Sequence, residues 1–327
     1  MTPIRVNDPA DVRILVTGAS GFVGRSLVDR LLAEGFDVAL AQRSLGAANI
    51  PGARSVMIGE IGPSTNWLPA IEDRNVVIHL AGQVPAKGVT SDKMTTVNDL
   101  GTAQLASQCR EAGVARLIAL SSILAVSGNQ SDIVLDDMVT PSPDALYGMS
   151  KLAAESHVEE FARLGGVGIS LRPPLVYAPH AKGNWAMLLR LAASGAPLPF
   201  ASVRNRRSLI SLGNLIDAIV GCVKTPVPAS GAYCVAEAPA VSLAQIIDSL
   251  RRGMSLRPQL FAVKPVYLDK LLRIAGKAGM AQSLLGNLEV SSVRFNSLFE
   301  WSPAHSTVEG LVACGRDFQH LPAAKLM

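Results

Sequence analysis

The 327-residue sequence lacks most of the features that mark a specialised class of protein. Aromatic residues make up 5% and charged residues 17%, against 49% hydrophobic residues, the balance of an ordinary α/β protein. Charge of one sign is scarce: thirty Lys and Arg face twenty-six Asp and Glu, a net of +4. That is too even for a nucleic-acid binder, which needs a broad basic face. Only Arg204, Arg206 and Arg207 cluster, which suits a small anionic ligand. Four cysteines, at 109, 222, 234 and 314, share no short spacing. This excludes a zinc ribbon or a Cys-x-x-Cys redox pair and argues against a disulfide framework, and no metal site is expected. No run reaches 18 apolar residues, so no span and no membrane partner are expected. The opening MTPIRVNDPADV is polar with two prolines, unlike a signal peptide, and the cytoplasm is the expected compartment. Internal repeats and low-complexity tracts are also missing.

What the sequence does contain is alternation. Val12–Thr17 reads as a buried strand, Phe22–Ala33 as a helix with Val23, Leu27 and Leu31 on one face, and Val38–Ala41 as a second strand after Gly35. Val76–Leu80, Leu117–Leu120 and Ile169–Leu171 repeat the short apolar run, separated by helical patterns over Thr95–Ala112 and Ala145–Leu164. Apolar strands alternating with helices imply a doubly wound parallel sheet, a Rossmann-type α/β fold covered on both faces. Beyond Pro173-Pro174, prolines divide the chain into helical stretches near 184–194, 214–223, 242–252, 266–278 and 307–318, with strands near 208–212 and 232–236. The expected organisation is a dinucleotide-binding domain over 1–175 and a smaller α/β substrate domain over 176–327. The two interleave if Ser208–Leu212 returns to the main sheet.

Thr17-Gly18-Ala19-Ser20-Gly21-Phe22-Val23-Gly24 lies where the first strand turns into the first helix. Glycines at 18, 21 and 24 permit a tight turn, close pyrophosphate approach and close helix–strand packing, and the helix N-terminus offers N–H groups to phosphate. The G-x-x-G-x-x-G spacing resembles the extended short-chain dehydrogenase/reductases, the NAD-dependent epimerase/dehydratase family, over nearly the whole chain. The resemblance assigns cofactor contacts to Gly18, Ser20, Gly21, Phe22, Val23 and Gly24. It adds Glu60-Ile61 beside the adenine, the Leu80-Ala81-Gly82 turn, Asn98 of Asn98-Asp99-Leu100-Gly101-Thr102, and Pro173 near the nicotinamide. After the second strand, where an NAD enzyme usually places a carboxylate, stand Gln42 and Arg43. A guanidinium there favours NADP(H), with NAD(H) still admissible.

Tyr147-Gly148-Met149-Ser150-Lys151 is the family's Y-x-x-x-K pattern. Spacing of four on a helix puts phenol and ammonium on one face. The cation favours the phenolate, bringing a group with a pKa near 10 toward acid–base duty. Ser122, in Leu120-Ser121-Ser122-Ile123, is the expected donor to the reacting oxygen, with Ser121 in reserve. His79 reads as a packed strand histidine and not a base. Ser122, Tyr147 and Lys151 form the expected catalytic set, Tyr147 and Lys151 also contacting cofactor.

The resemblance extends to Leu171-Arg172-Pro173-Pro174-Leu175-Val176-Tyr177-Ala178-Pro179 and Gly183-Asn184-Trp185. It places Asn184 and Arg207 on the phosphates of a nucleotide-sugar substrate, with Arg294 as a further candidate and Ser122 on the reacting sugar. Ile123-Leu124 stand where the family's dehydratases carry an Asp-Glu pair, which argues against dehydration. Similarity to bacterial UDP-4-keto-6-deoxy-N-acetylhexosamine 4-reductases favours 4-keto reduction. UDP-sugar 4-epimerisation, reduction of a non-nucleotide ketone and a non-catalytic NADP sensor are the alternatives. A homodimer stays open.

Overall fold

The computed structural model describes residues 8–321 apart from 45, 47, 48, 87, 227, 275 and 277. Most of the opening polar stretch therefore lies outside the described residues. The strands are β1 (Arg13–Thr17), β2 (Asp37–Gln42), β3 (Arg54–Met57), β4 (Val76–His79), β5 (Arg116–Leu120), β6 (Val167–Arg172), β7 (Leu175–Tyr177), β8 (Leu209–Ser211) and β9 (Gly231–Cys234). The helices are α1 (Phe22–Ala33), α2 (Leu68–Ile71), α3 (Ser91–Met94), α4 (Gly101–Glu111), α5 (Leu146–Arg163) and α6 (Gly183–Ala193). They continue with α7 (Leu212–Lys224), α8 (Leu243–Gly253), α9 (Pro265–Ile274), α10 (Ala278–Leu285), α11 (Val293–Phe299) and α12 (Thr307–Gln319).

Seven strands form one parallel sheet in the order β3-β2-β1-β4-β5-β6-β9. The order reverses between β1 and β4, whose C-terminal ends meet at Thr17 and His79. Ligands of doubly wound sheets bind in the crevice outside such a switch point. The alternation of side chains along each strand builds two cores. Ile14, Val16, Val38 and Leu40 pack on the face covered by α1 and α7, whereas Leu15, Ala39 and Ala41 pack with Trp67, Leu105 and Phe161 on the other. The first core runs on without a break into α6, α8 and α12 through Leu189, Leu250 and Leu311.

The return to the main sheet is made by a different strand from the one anticipated. Leu209–Ser211 pairs with β7 in a separate two-stranded sheet, and it is Gly231–Cys234 that adds to β6. Both are short apolar runs, and a periodicity reading cannot tell which partner each will find. Two further helical expectations change in detail. Thr95–Leu100 is wound as a π-helix before α4 begins, and the 266–278 stretch is two helices with Gly276 between them at φ +70°.

Candidate active site

The glycine turn is shaped by close approach. Gly18 sits at φ +72°, and a Cβ there would lie 2.7 Å from the backbone nitrogen of Ala81. Gly24 lies so close to the Gly18 carbonyl that any side chain would collide with it. The first turn of α1 can thus fold back over the end of β1. Gly21 caps the helix without a side-chain acceptor, leaving the first N–H groups of α1 directed at the crevice. On the opposite lip, the Ala81 N–H donates to Thr17 Oγ1 at 3.1 Å, tying the Leu80–Gly82 turn to β1.

His79 is fully enclosed. Its Nδ1 shares a 2.8 Å hydrogen bond with Thr17 Oγ1 and its Nε2 lies 3.2 Å from Thr102 Oγ1. Burial, with Lys151 nearby, pushes its pKa down to about 3. It is neutral and structural, as its place in a packed strand implies.

Asn98 explains the π-helical turn. Its Oδ1 accepts from the Gln83 N–H at 2.6 Å, while its Nδ2 donates to the Gln83 carbonyl and to Ser150 Oγ, each at 2.9 Å. A π-turn brings this buried amide between two elements, α5 and the Leu80–Gln83 segment, that an unbroken α-helix would not let it bridge. Three residues on, Gly101 is bare because Ile61 presses against it. Thr102 then closes the turn by donating to the Asn98 carbonyl at 2.6 Å.

Lys151 and Tyr147 project from the start of α5. Lys151 is 9% exposed, and its Nζ donates to the Leu120 carbonyl at 2.9 Å. A Cβ on Gly82 would stand 3.1 Å from that Nζ and 3.2 Å from Asn98 Oδ1, so the three residues converge. Burial lowers the lysine's pKa to about 8, against a smaller opposing pull from Glu155. The phenol of Tyr147 moves the other way: burial raises its pKa, and the hydrogen bond with Ser122 offsets part of the rise. The expected lowering by Lys151 is not found, because the ammonium is turned to the Leu120 carbonyl. Gly148 is what lets α5 close on the serine loop, since a side chain there would run into the Leu124 carbonyl.

The two serines after β5 have separate duties. Ser121 Oγ donates to Glu155, a carboxylate held in a buried ion pair with Arg172 at 2.6 Å. Ser122 Oγ accepts from the Leu124 N–H at 3.2 Å and meets the Tyr147 phenol. Of the two, Ser122 alone reaches the tyrosine. Sequence reasoning missed the Glu155–Arg172 pair, although Glu155 lies four residues after Lys151 on the same helical face, a spacing that was available to it.

Ser122, Asn184 and Arg207 all line one cavity of about 660 Å³. Arg207 donates to the carbonyls of Asn129 and Gly286 at 3.2 and 3.1 Å, and burial pulls its pKa down to about 10. No carboxylate pairs with it among the described residues. Arg294 is elsewhere. It lines a separate concavity, 3.9 Å from Asp137 and over the ring of Tyr233. Arg43 is exposed and pairs with Glu60 at 3.5 Å. Phe22 lies at the surface with its ring edge-on to His180. Pro173 accepts from the Ile123 N–H at 2.9 Å, fixing the end of β6 against the serine loop.

These residues fit a dinucleotide. The bare glycine turn, the free N-terminus of α1 and the side-chain-free Gly82 leave backbone open to it, and the Lys151 ammonium has three donors to offer. Residues 14–236 match the NAD dependent epimerase/dehydratase family. The chain is 32% identical over 317 residues to a UDP-glucose 4-epimerase of Vibrio cholerae, covering 93% of this chain and 95% of that one. The fold is shared with the UDP-N-acetylglucosamine 4-epimerase of Bacillus cereus, with a TM-score of 0.74, 18% identity and coverage of 94% and 98%. It is shared equally with MoeE5 in complex with UDP-glucuronic acid and NAD, with a TM-score of 0.73, 23% identity and coverage of 94% and 99%. The chain is an enzyme of the NAD dependent epimerase/dehydratase family.

Proposed function

We propose that the protein is an NAD-dependent 4-epimerase of a UDP-sugar, with residues 1–175 chiefly holding the dinucleotide and 176–327 chiefly holding the substrate. The observation that carries this reading is the shared cavity: Ser122, which meets the Tyr147 phenol, stands at one part of its wall and the carboxylate-free Arg207 at another. A guanidinium in that setting suits a diphosphate, whose oxygens accept its paired N–H groups. Likeness to a UDP-glucose 4-epimerase at 32% identity over most of both chains supports epimerisation above 4-keto reduction.

When bound, NAD supplies a hydride acceptor and donor beside the sugar carbon. Ser122 donates to the reacting oxygen and Tyr147 takes the hydroxyl proton as general base. The Lys151 ammonium, anchored on the Leu120 carbonyl beside Gly82, keeps its remaining donors for the bound dinucleotide. For inversion the sugar must present its other face while the diphosphate stays at Arg207, and Tyr147 then returns the proton.

The preference for NADP(H) that Gln42-Arg43 suggests finds no support. The guanidinium of Arg43 is already paired with Glu60, whose carboxylate would face a 2′-phosphate as a like charge. Mass spectrometry of nucleotide released from the purified protein tests the reading: retained NAD supports an epimerase, and an empty site filled preferentially by NADPH would favour the reductase.

A further inference from the structure

The cavity that holds Arg207 is far more apolar than a nucleoside requires. Its lining includes Leu188 and Leu191 of α6, Leu268 and Leu272 of α9, and Met280 and Leu284 of α10. Besides Ser122 and Arg207, its polar lining is confined to Asn129, Asn184 and Ser283. A nucleoside held here draws its hydrogen bonds from these few side chains and from backbone, and leaves much of the apolar lining without a polar counterpart. A hydrocarbon chain has no polar group to satisfy there.

The cavity also opens onto an unusual surface. Leu271 lines it and is itself 65% exposed, so the apolar wall continues outward at the mouth. There Tyr267, Leu271 and Ile274, at 59, 65 and 85% exposure, follow one another at helical spacing along α9. Basic residues flank them: Lys264, Lys270 and Arg273 are exposed on the same short stretch. From 257 to 285 the sequence holds five Lys or Arg and a single acidic residue, Asp269, so this segment nets as much positive charge as the entire chain. An apolar helical face rimmed by cations lies in the interface of anionic lipid. The sequence holds no spanning run, the ground for expecting no membrane partner. Docking of this kind needs no such run, and among the described residues no helix is long and apolar enough to cross a membrane.

Resting on the reading of this site as a glycosyl-diphosphate epimerase, we propose that it also takes a lipid-linked glycosyl diphosphate. The substrate is presented at an anionic membrane on which α9 docks. Its diphosphate sits at Arg207, and the first part of its apolar chain fills the cavity between α6 and the α9–α10 pair.

The test uses the full chain saturated with NAD. By calorimetry, farnesyl diphosphate should bind at least tenfold more tightly than UDP and displace it, and Arg207→Ala should weaken both at least tenfold. Phosphatidylglycerol vesicles should carry the protein in flotation at low salt, and phosphatidylcholine vesicles should not. The double variant Tyr267→Glu/Ile274→Glu, shown to be folded by an unchanged melting temperature, should reduce the floated fraction at least fivefold. If UDP binds and farnesyl diphosphate does not, the inference fails and the nucleotide-sugar reading stands. If neither binds, that reading fails as well. Absence of vesicle binding overturns the docking, as does a dimer in solution that the double variant splits, because a second copy would then cover α9.

Discussion

Among single residues, three side chains of the proposed site have different jobs. In the proposed reaction Tyr147 carries the proton, so Tyr147→Phe should lower kcat by roughly 10²–10⁴, the usual worth of a positioned acid–base, while dinucleotide affinity barely changes. Wild-type turnover in that variant would remove the phenol from the mechanism. In the same proposal Arg207 holds the diphosphate, remote from the reacting carbon. Arg207→Ala should therefore raise KM about tenfold or more, as loss of a charged hydrogen bond costs about 1.5–3 kcal/mol, with a smaller effect on kcat. An equal fall in kcat at unchanged KM would contradict a role in uniform binding.

Lys151 makes a prediction about pH. Its native pKa of about 8 lies below the ordinary lysine value of 10.5. Between those limits the unfolded chain holds a proton that the native protein has shed, so raising the pH favours the native state. Burying the charged lysine thus costs stability near neutrality, and the cost is relieved from about pH 8 upward. Lys151→Met has no such titration. The stability of the wild type relative to this variant should rise across that window by an amount of order 2–3 kcal/mol, read from denaturant melts at pH 7 and pH 10.5. A flat difference would show that the ammonium is not desolvated.

At the scale of the element, what was legible in the sequence was what depends on local pattern. The apolar runs of β1, β4 and β5 and the amphipathic α1 lie where periodicity puts them, to within one or two residues. The glycine turn was readable because only glycine tolerates such close backbone approach. What could not be read were features that depend on a distant partner. The π-turn at Asn98 exists to reach Gln83 and Ser150, and β3 and β7 are too short to give a pattern of their own. The Glu155–Arg172 pair joins α5 to β6 beneath the serine loop. Removing one partner strands the other charge in the interior. Glu155→Ala should cost roughly 3–5 kcal/mol of stability and also release Ser121, visible as a lower melting temperature. A loss below about 1 kcal/mol would mean that the pair is solvated.

At the scale of the whole molecule, the sequence showed the fold class but not the route of the chain. Leu209–Ser211 and Gly231–Cys234 are both very short runs, and only the completed sheet shows that the second pairs with β6. The cavity is likewise a property of assembly, since its walls join α6 to the α9–α10 segment some way along the sequence. The proposed triplet of Ser122, Tyr147 and Lys151 could be singled out because two of its members share a helix face and the third follows a strand end. Arg43 was misleading because its partner, Glu60, is seventeen residues away across a loop and β3.

The central claim is inversion at a sugar C4 with the dinucleotide regenerated in each turnover. Proton NMR of UDP-glucose or UDP-N-acetylglucosamine incubated with the protein and a trace of NAD measures it directly. The account predicts appearance of the 4-epimer to an equilibrium mixture, with no net accumulation of NADH. Sugar that is unchanged at C4, or a reaction that proceeds only with stoichiometric consumption of NADPH, would contradict it.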